Sequence, residues 1–429
     1  MRMRFRSVAP PPAGGATDTF AAAAGIGERL VREAVWYRGQ CNWIGVAGRV
    51  GDDSKRRQTA HRALGPALGD GTAGIALFLA QLHAVSGADA VRRTALGAID
   101  QALAHADAIA PAVARGLYAG RPGIAYAAAR CGRLLEDERL MQRAARLARA
   151  RTPAADPGSG AGDLVSGTAG AIAALLALAR LLGDGRLVAR AARLGDELAA
   201  TARRDPEGWS WAPTGPRAAA AHGLCGLAHG AAGAAWALLE LSAATGDPRH
   251  HQAIERALIY ERHWFDADHA NWPDLRGIER RERRGTFTPP YATAWGHGAP
   301  GIALSRLRGW QITGDERLRC AAVTALTTTA AHVERELLAP RADFTLSRGL
   351  AGGADALLLG AELLPEAAAL ARRVAEVGVG RYATSLEGWP CGDGRTPALL
   401  AGDAGIGLFL LRIADATVPS ALLIGAPPG

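Results

Sequence analysis

The chain has 429 residues, of which 54 are glycine, 49% are hydrophobic and only 5% are aromatic. This apolar content is typical of a folded globular protein and excludes a disordered chain. The formal net charge of +8 comes almost entirely from arginine, but the densest basic run, residues 276–284, is interrupted by Glu279 and Glu282, which argues against a nucleic-acid-binding stripe.

The N-terminal segment is basic and then turns to proline and glycine, where a signal peptide needs an apolar core. We expect residues 1–18 to be a disordered tail and residues 19–63 to form a helical latch before the main domain. No uncharged run is apolar enough to predict a membrane contact. The five cysteines are scattered and lack a C-x-x-C pair, so no disulfide framework is expected and the cytoplasm is the predicted compartment.

A pair of glycines separated by two residues recurs seven times, and Ala or Pro always stands directly before the second glycine. The first glycines lie 49, 47, 63, 68, 51 and 53 residues apart, which is the spacing of a structural repeat. Each pair opens a segment of small, mostly apolar residues. The seven pairs are Gly71/Gly74, Gly120/Gly123, Gly167/Gly170, Gly230/Gly233, Gly298/Gly301, Gly349/Gly352 and Gly402/Gly405.

The third repeat shows the organisation of one unit. After the glycine pair, residues 171–182 are apolar all round, which predicts a helix buried on most sides. A polar turn at 183–185 follows, and then residues 186–204 form an amphipathic, arginine-rich pattern. Seven such pairs of inner and outer helices predict an all-α fold over residues 64–429, a seven-fold α/α toroid with the glycine turns at one mouth. An open α-solenoid is the alternative, because the sequence does not establish closure.

Four more specific motifs lie at the third to sixth glycine pairs, in the order Asp163-Leu-Val-Ser-Gly167, Gly226-Leu-Ala-His-Gly230, Trp295-Gly-His-Gly-Ala-Pro-Gly301 and Leu346-Ser-Arg-Gly-Leu-Ala-Gly352. Together they resemble the motifs of the lanthionine synthetase C-like (LanC-like) family. The resemblance implies an α-toroid in which two cysteines and a histidine bind zinc. In that family the metal activates a peptide cysteine thiol, which adds to a dehydroamino acid to close a thioether ring.

The sequence departs from the family at each metal position. Gly296 and Ser347 stand where the family has cysteines, and Arg348 stands in place of the histidine. Glycine has no side chain, serine is a poor zinc ligand and arginine stays protonated. We therefore expect no zinc and no other cofactor. The alternative is a substitute metal site formed by His222, Cys225, His229 and His297.

The resemblance leaves two acid–base candidates, His229 and Asp163. Asp163 is expected either to act at the site or simply to cap the third inner helix. His297 and Arg348 stand where the family handles metal and thiol. They predict a zinc-free activation in which His297 accepts the thiol proton and the arginine charge stabilises the thiolate. In a non-catalytic protein, both side chains would only fill the cavity.

Substrate contacts are expected from Trp295 and Ser347 in the last two motifs and from Arg280 and Arg281 in the basic run. That run lies between Asp247 and Thr293, a segment longer than the other connections. It is either a lid or peptide-binding groove, or an elongated polar loop.

We expect a cyclase that acts without zinc on a leader-bearing precursor peptide. A separate dehydratase would prepare that peptide, and a kinase or decarboxylase is a further possible partner. The alternative is a non-catalytic scaffold that binds the peptide or a partner enzyme. A glycosidase would need two carboxylates across the cavity, and Asp403 is the only obvious partner for Asp163 among the turns.

Overall fold

Fourteen α-helices account for more than half of the residues that the computed structural model describes, which are 15–50, 58–151, 160–213, 222–276, 278, 290–392 and 394–425. Their bounds are α1 (Gly15–Glu33), α2 (Thr72–Ser86), α3 (Asp89–Ala104), α4 (Arg121–Leu134), α5 (Glu138–Arg149), α6 (Thr168–Leu182), α7 (Gly185–Ala200), α8 (Ala231–Thr245), α9 (His251–His263), α10 (Ala299–Thr313), α11 (Glu316–Leu337), α12 (Leu350–Leu359), α13 (Glu366–Tyr382) and α14 (Asp403–Ala414).

Short strands and turns of 3₁₀ helix complete the described secondary structure. The strands pair as three antiparallel hairpins, β1 (Val35–Tyr37) with β2 (Gln40–Asn42), β3 (Ile44–Val50) with β4 (Gln58–Ala63), and β5 (Arg203–Asp205) with β6 (Gly208–Ser210). The 3₁₀ turns are Ala106–Ala108, Pro111–Val113 and Pro248–His250. None of the described helices combines the length and apolar character that crossing a bilayer requires.

The inner helices form a closed ring. Helices α2, α4, α6, α8, α10, α12 and α14 each contact the next one in this order, and α14 contacts α2. An outer helix packs on each of the first six, namely α3, α5, α7, α9, α11 and α13. The N-terminal helix α1 packs on α14 and takes the seventh outer place. The predicted seven-fold α/α toroid is therefore confirmed, and the open solenoid is wrong.

Side-chain polarity separates the two layers. In the inner helix α6, every residue from Thr168 to Ala179 is buried, as an all-round apolar helix requires. In the outer helix α7, burial is confined to one stripe that begins at Leu187 and ends at Leu198. The outer helix predicted over residues 186–204 ends earlier, at Ala200, because the chain then turns into the hairpin of β5 and β6.

The glycine pairs are needed for close backbone approach. In all seven pairs, a Cβ on the second glycine would lie 1.7–2.2 Å from the backbone oxygen of the residue six positions earlier. Real Cβ atoms do not approach an oxygen that closely, so any side chain would force the turn open. We call each glycine pair, together with the few residues that lead into it, a turn, and we number the turns first to seventh in chain order.

Backbone hydrogen bonds join neighbouring turns and gather them at one mouth of the toroid. The N–H of Leu164 in the third turn donates to the oxygen of Ala228 in the fourth at 2.9 Å, and the N–H of Ala228 donates to Gly296 in the fifth at 3.3 Å. Corresponding bonds run from Leu117 to Leu164, from Gly69 to Tyr118, from Leu400 to Gly69 and from Ser347 to Leu400.

Aromatic side chains join two turns that are not neighbours in the ring. Tyr118 from the second turn and Trp295 from the fifth meet edge to face, with ring centroids 5.0 Å apart. The C-terminal segment contacts both side chains, since the Tyr118 hydroxyl donates to the oxygen of Ala421 at 2.6 Å and Trp295 Nε1 donates to that of Leu422 at 3.2 Å. The second and fifth turns are therefore packed against each other and bonded to the C-terminal segment.

The segment predicted as an N-terminal helical latch, residues 19–63, is helical only as far as Glu33. It continues in the described residues as the hairpins of β1 with β2 and of β3 with β4. Trp43 is buried, and its Nε1 donates to the oxygen of Leu30 in α1 at 2.9 Å. This contact fastens the hairpins to the seventh outer helix.

Candidate active site

The centre of the candidate site is a carboxylate–imidazole pair between the third and fourth turns. His229 Nδ1 donates to Asp163 Oδ2 at 2.8 Å, and the N–H of Ser166 donates to the other carboxylate oxygen at 2.8 Å. Asp163 is buried, whereas the His229 side chain is 37% exposed. Because Nδ1 carries the donated proton, the neutral ring keeps Nε2 as a proton acceptor.

Asp163 does not cap the third inner helix. The N-cap of α6 is Gly167, which is extended with a φ of −112° and has no side chain that could bond to the first turn of this helix. The carboxylate of Asp163 instead bridges Ser166 and His229. The capping alternative is therefore wrong, and the carboxylate is positioned to orient the imidazole.

His297 stacks beside this pair. Its ring centroid lies 5.5 Å from that of His229, with an angle of 25° between the two planes. Burial lowers the pKa of His297 to about 4, and the positive charge of Arg276 acts in the same direction, while Asp274 partly opposes both. The ring is thus neutral at pH 7 and a weak base, which disfavours the predicted role as the acceptor of the thiol proton.

Two charged residues that the sequence analysis missed complete the surroundings of His297. Arg276 Nε donates to Asp274 Oδ1 at 2.8 Å, and Nη2 donates to Oδ2 at 2.5 Å. Burial opposes ionisation of Asp274, but the hydrogen bonds from Arg276 and the proximity of His297 outweigh it and lower the pKa of the carboxyl. The Asp-x-Arg spacing was visible in the sequence, although nothing in it placed the pair beside the fifth turn.

Asn271 holds the backbone of the fifth turn in place. Its Oδ1 accepts hydrogen bonds from the N–H groups of Trp272 at 2.8 Å and Ala299 at 2.9 Å. Gly298, next to His297, has a φ of 86° and a ψ of −161°. Almost only glycine adopts this region, so the position of His297 depends on this one residue.

The sixth turn brings Ser347 and Arg348 to the same mouth. Ser347 is half-buried, and its N–H donates to the oxygen of Leu400 in the seventh turn at 2.8 Å. Arg348 is exposed, and its Nη2 lies 3.5 Å from the Cβ position of Gly392. The described contacts therefore unite Asp163, His229 and His297, and the pairing of Arg348 with His297 stays a prediction.

The other predicted substrate contacts have different outcomes. Trp295 is buried and donates to the C-terminal segment, so its geometry is that of a packing residue. Arg280 and Arg281 lie outside the described residues. Asp403 is buried and accepts from Arg29 at 3.2 Å and from Arg395 at 3.1 Å, so its carboxylate fastens α14 to α1 and to the segment before it.

The residues at the mouth do not fit a zinc ion. Gly296 offers no donor atom, and a Cβ placed there would meet the Cβ of Ala228 at 3.3 Å. Among the described residues, no group of three or more His, Cys, Asp or Glu side chains is arranged to hold a metal. Cys225 is fully buried, and its burial raises the thiol pKa well above the ordinary range, while His222 packs edge-on against Trp264 at 5.2 Å. The substitute metal site is therefore not formed.

The lowered pKa of His297 predicts that the protein loses stability in mild acid. As the pH falls from 6.5 to about 4, the unfolded chain takes up a proton on this residue that the folded protein does not. The contribution of His297 to the free energy of unfolding should be constant above this window and fall within it by about 3 kcal/mol. Urea unfolding over this pH range, compared with His297→Gln, tests this. If the free energy of unfolding changes with pH in the same way in both proteins, the prediction is wrong.

The profile of the family described as "Lanthionine synthetase C-like protein" matches residues 62–423. Among solved structures, nisin cyclase aligns with a TM-score of 0.64 and 17% identity, over 82% of this chain and 89% of its own. A sugar epimerase from a ruminal bacterium aligns over 94% of this chain and 100% of its own, with a TM-score of only 0.45 and 12% identity. No curated protein matches the sequence.

Proposed function

Because the chain belongs to the lanthionine synthetase C-like family, we propose that it is a cyclase that closes thioether rings in a ribosomal peptide without zinc. The single observation that carries this proposal is the pair of buried Asp163 and half-exposed His229 at the mouth of the toroid. The lanthionine cyclase-like fold supports the reaction type. The loss of donor atoms at Gly296 and Arg348 supports its independence from zinc.

In this proposal, the thiol of a peptide cysteine adds to the double bond of a dehydroamino acid. His229 Nε2 takes the thiol proton as the sulfur bonds to the β-carbon, and the electron pair of the double bond moves into an enolate. The imidazolium then returns the proton to the α-carbon, so atoms and charge balance. Asp163 keeps the ring in the required tautomer and stabilises the imidazolium, as a buried carboxylate does in other catalytic pairs.

Two neighbouring side chains, those of His297 and Arg348, would assist the addition of the thiol. The stacked, neutral His297 adds no positive charge beside His229, so it does not oppose protonation of that ring. Arg348, exposed in the sixth turn, provides a fixed positive charge that can favour the thiolate form of the incoming cysteine. The peptide would arrive already dehydrated by a separate enzyme.

The test is to incubate the protein with a dehydrated, cysteine-containing peptide and count free thiols over time. We expect thiols to disappear faster than in the uncatalysed reaction. A zinc chelator should leave this rate unchanged, because the residues at the mouth cannot bind the metal. A family member that keeps the Cys, Cys and His ligands serves as the chelator-sensitive control. Thiol loss at the uncatalysed rate would contradict the cyclase, and inhibition by the chelator would contradict its independence from zinc.

The second candidate function is a non-catalytic scaffold that holds the precursor peptide or a partner enzyme. The substitution of all three family zinc ligands, at Gly296, Ser347 and Arg348, favours it. A scaffold and a cyclase differ in one measurable respect. Removing the His229 imidazole leaves the contribution of a scaffold to product formation intact, whereas it stops a cyclase.

A further inference from the structure

A cavity lies between the second turn and helices α5 and α7. It has a volume of about 400 Å³. Its lining contains five arginines, one carboxylate and one apolar side chain, and we refer to it as the arginine cavity. The lining residues are Arg115, Arg149, Arg151, Arg190, Arg193, Leu194 and Glu197.

Hydrogen bonds to the scaffold hold three of these arginines in position. Arg190 Nη1 donates to the oxygens of Ala148 and Ala150 at the end of α5, both at 2.8 Å. Arg115 pairs with Glu197 at 2.7 Å. Arg149 Nε pairs at 2.7 Å with Asp184, which also caps α7. The guanidinium groups are thus placed by the fold before any ligand arrives, which reduces the entropy lost on binding.

The cavity concentrates positive charge. Among the described lining residues, five cations face a single carboxylate, Glu197, which is itself 53% exposed. Burial lowers the pKa of Arg190, and the charges of Arg115 and Arg193 add to this effect. Anionic groups entering between these side chains would relieve their mutual repulsion, and arginine binds carboxylates in a bidentate manner.

The arginine cavity adjoins the candidate active site through the backbone. Arg115 directly precedes Gly116, which packs so tightly on the third turn that a Cβ there would lie 2.0 Å from the oxygen of Val165. The next residue of the third turn, Ser166, donates its N–H to Asp163. A chain anchored by Arg115 therefore lies beside the turn that carries the catalytic carboxylate.

We propose that the arginine cavity binds an acidic segment of the peptide substrate and thereby anchors the peptide next to the mouth. The positive side chains are spread over the second turn, the end of α5 and the surface of α7, so they suit several separate carboxylates better than one compact anion. Arg115 and Arg149 already bind carboxylates of the protein itself, namely those of Glu197 and Asp184. The proposal rests on the proposed function only in taking a peptide as the substrate.

Binding is measured by fluorescence anisotropy with labelled hexaglutamate and, as the neutral probe, labelled hexaglutamine. We expect hexaglutamate to bind and hexaglutamine not to bind. The double variant Arg151→Gln/Arg193→Gln should weaken hexaglutamate binding about tenfold. Both positions are exposed, and neither is among the three arginines that bond to the scaffold, so the fold should be retained. The matched control is Arg317→Gln/Arg319→Gln, which removes one exposed and one half-buried arginine from α11 and should leave binding unchanged.

Three outcomes would overturn the proposal. The first is that hexaglutamate does not bind, and the second is that both double variants weaken its binding equally. The third is that pyrophosphate displaces labelled hexaglutamate at a lower concentration than unlabelled hexaglutamate needs. The first two exclude a specific site, and the third identifies a phosphate site. His229→Ala protein separates this inference from the proposed function, since it should bind hexaglutamate with unchanged affinity whether or not the protein is a cyclase.

Discussion

Replacing His229 by alanine is expected to slow thioether formation about 10²- to 10⁴-fold, the usual contribution of a positioned general acid–base group. The imidazole is the only part of the Asp163–His229 pair that is substantially exposed, with 37% of its side chain accessible against 4% for Asp163. Without it, neither the thiol nor the enolate carbon has a proton-transfer partner in the pair. Free-thiol counting and mass spectrometry of the dehydrated peptide measure the effect, and circular dichroism checks the fold.

His222→Ala is the matched control, because His222 is also half-buried and precedes the same turn but packs on Trp264. It should retain the rate. Asp163→Asn should lose most of the rate while binding of the peptide persists, because an amide does not stabilise the imidazolium. If His229→Ala forms rings at the rate of the unmodified protein, the acid–base role is wrong. If product formation then depends only on a partner enzyme, the scaffold function is the correct one.

The architecture was predictable because its main determinant is local. Each glycine pair removes the side chains that would collide with the backbone six residues earlier, and the apolar segment after it has no solvated face. Both properties depend on only a few consecutive residues. The glycine pattern alone did not distinguish the closed toroid from an open solenoid, because closure depends on the contact of α14 with α2, which lie at opposite ends of the repeat array.

The place of the N-terminal helix α1 in the toroid was also not predictable from the sequence. Seven inner helices need seven outer ones, but the last repeat ends with its inner helix α14 in the described chain. The missing partner is α1, which comes from the other end of the sequence and is joined by the ion pair of Arg29 with Asp403 at 3.2 Å. A pattern read along the chain assigns α1 to a separate latch, since the pairing of distant segments leaves no local signal.

The sequence likewise predicted only some of the residues of the candidate site. Asp163 and His229 were identified because the motifs around them resemble those of the LanC-like family, and both motifs end at glycine turns that are neighbours at one mouth. Asp274 and Arg276 were missed because they come from the irregular segment after α9, whose path is fixed by contacts such as the N–H of Asp274 donating to the oxygen of Pro290 at 2.8 Å. The pKa of His297 depends on that segment, so no motif could have indicated it.

Replacing Gly298 by alanine is expected to destabilise the protein by about 3–5 kcal/mol, because it combines two costs. The residue lies in a backbone region with a φ of 86° that side chains avoid. An added Cβ would also lie 1.8 Å from the oxygen of Ala292. The first glycine of each other turn has an extended backbone instead, with φ between −100° and −157°. Urea unfolding measures the change in the free energy of unfolding.

Gly87→Ala provides the matched control for this substitution. Gly87 also has a positive φ, 69°, but an added Cβ there meets nothing within 4 Å. Only the backbone cost remains, so we expect a loss of about 1 kcal/mol. Equal losses in the two variants would show that the crowding at Ala292 relaxes without cost. A much larger loss for Gly298→Ala, together with a flatter stability profile between pH 6.5 and about 4, would show that this glycine fixes the buried position of His297 beside His229.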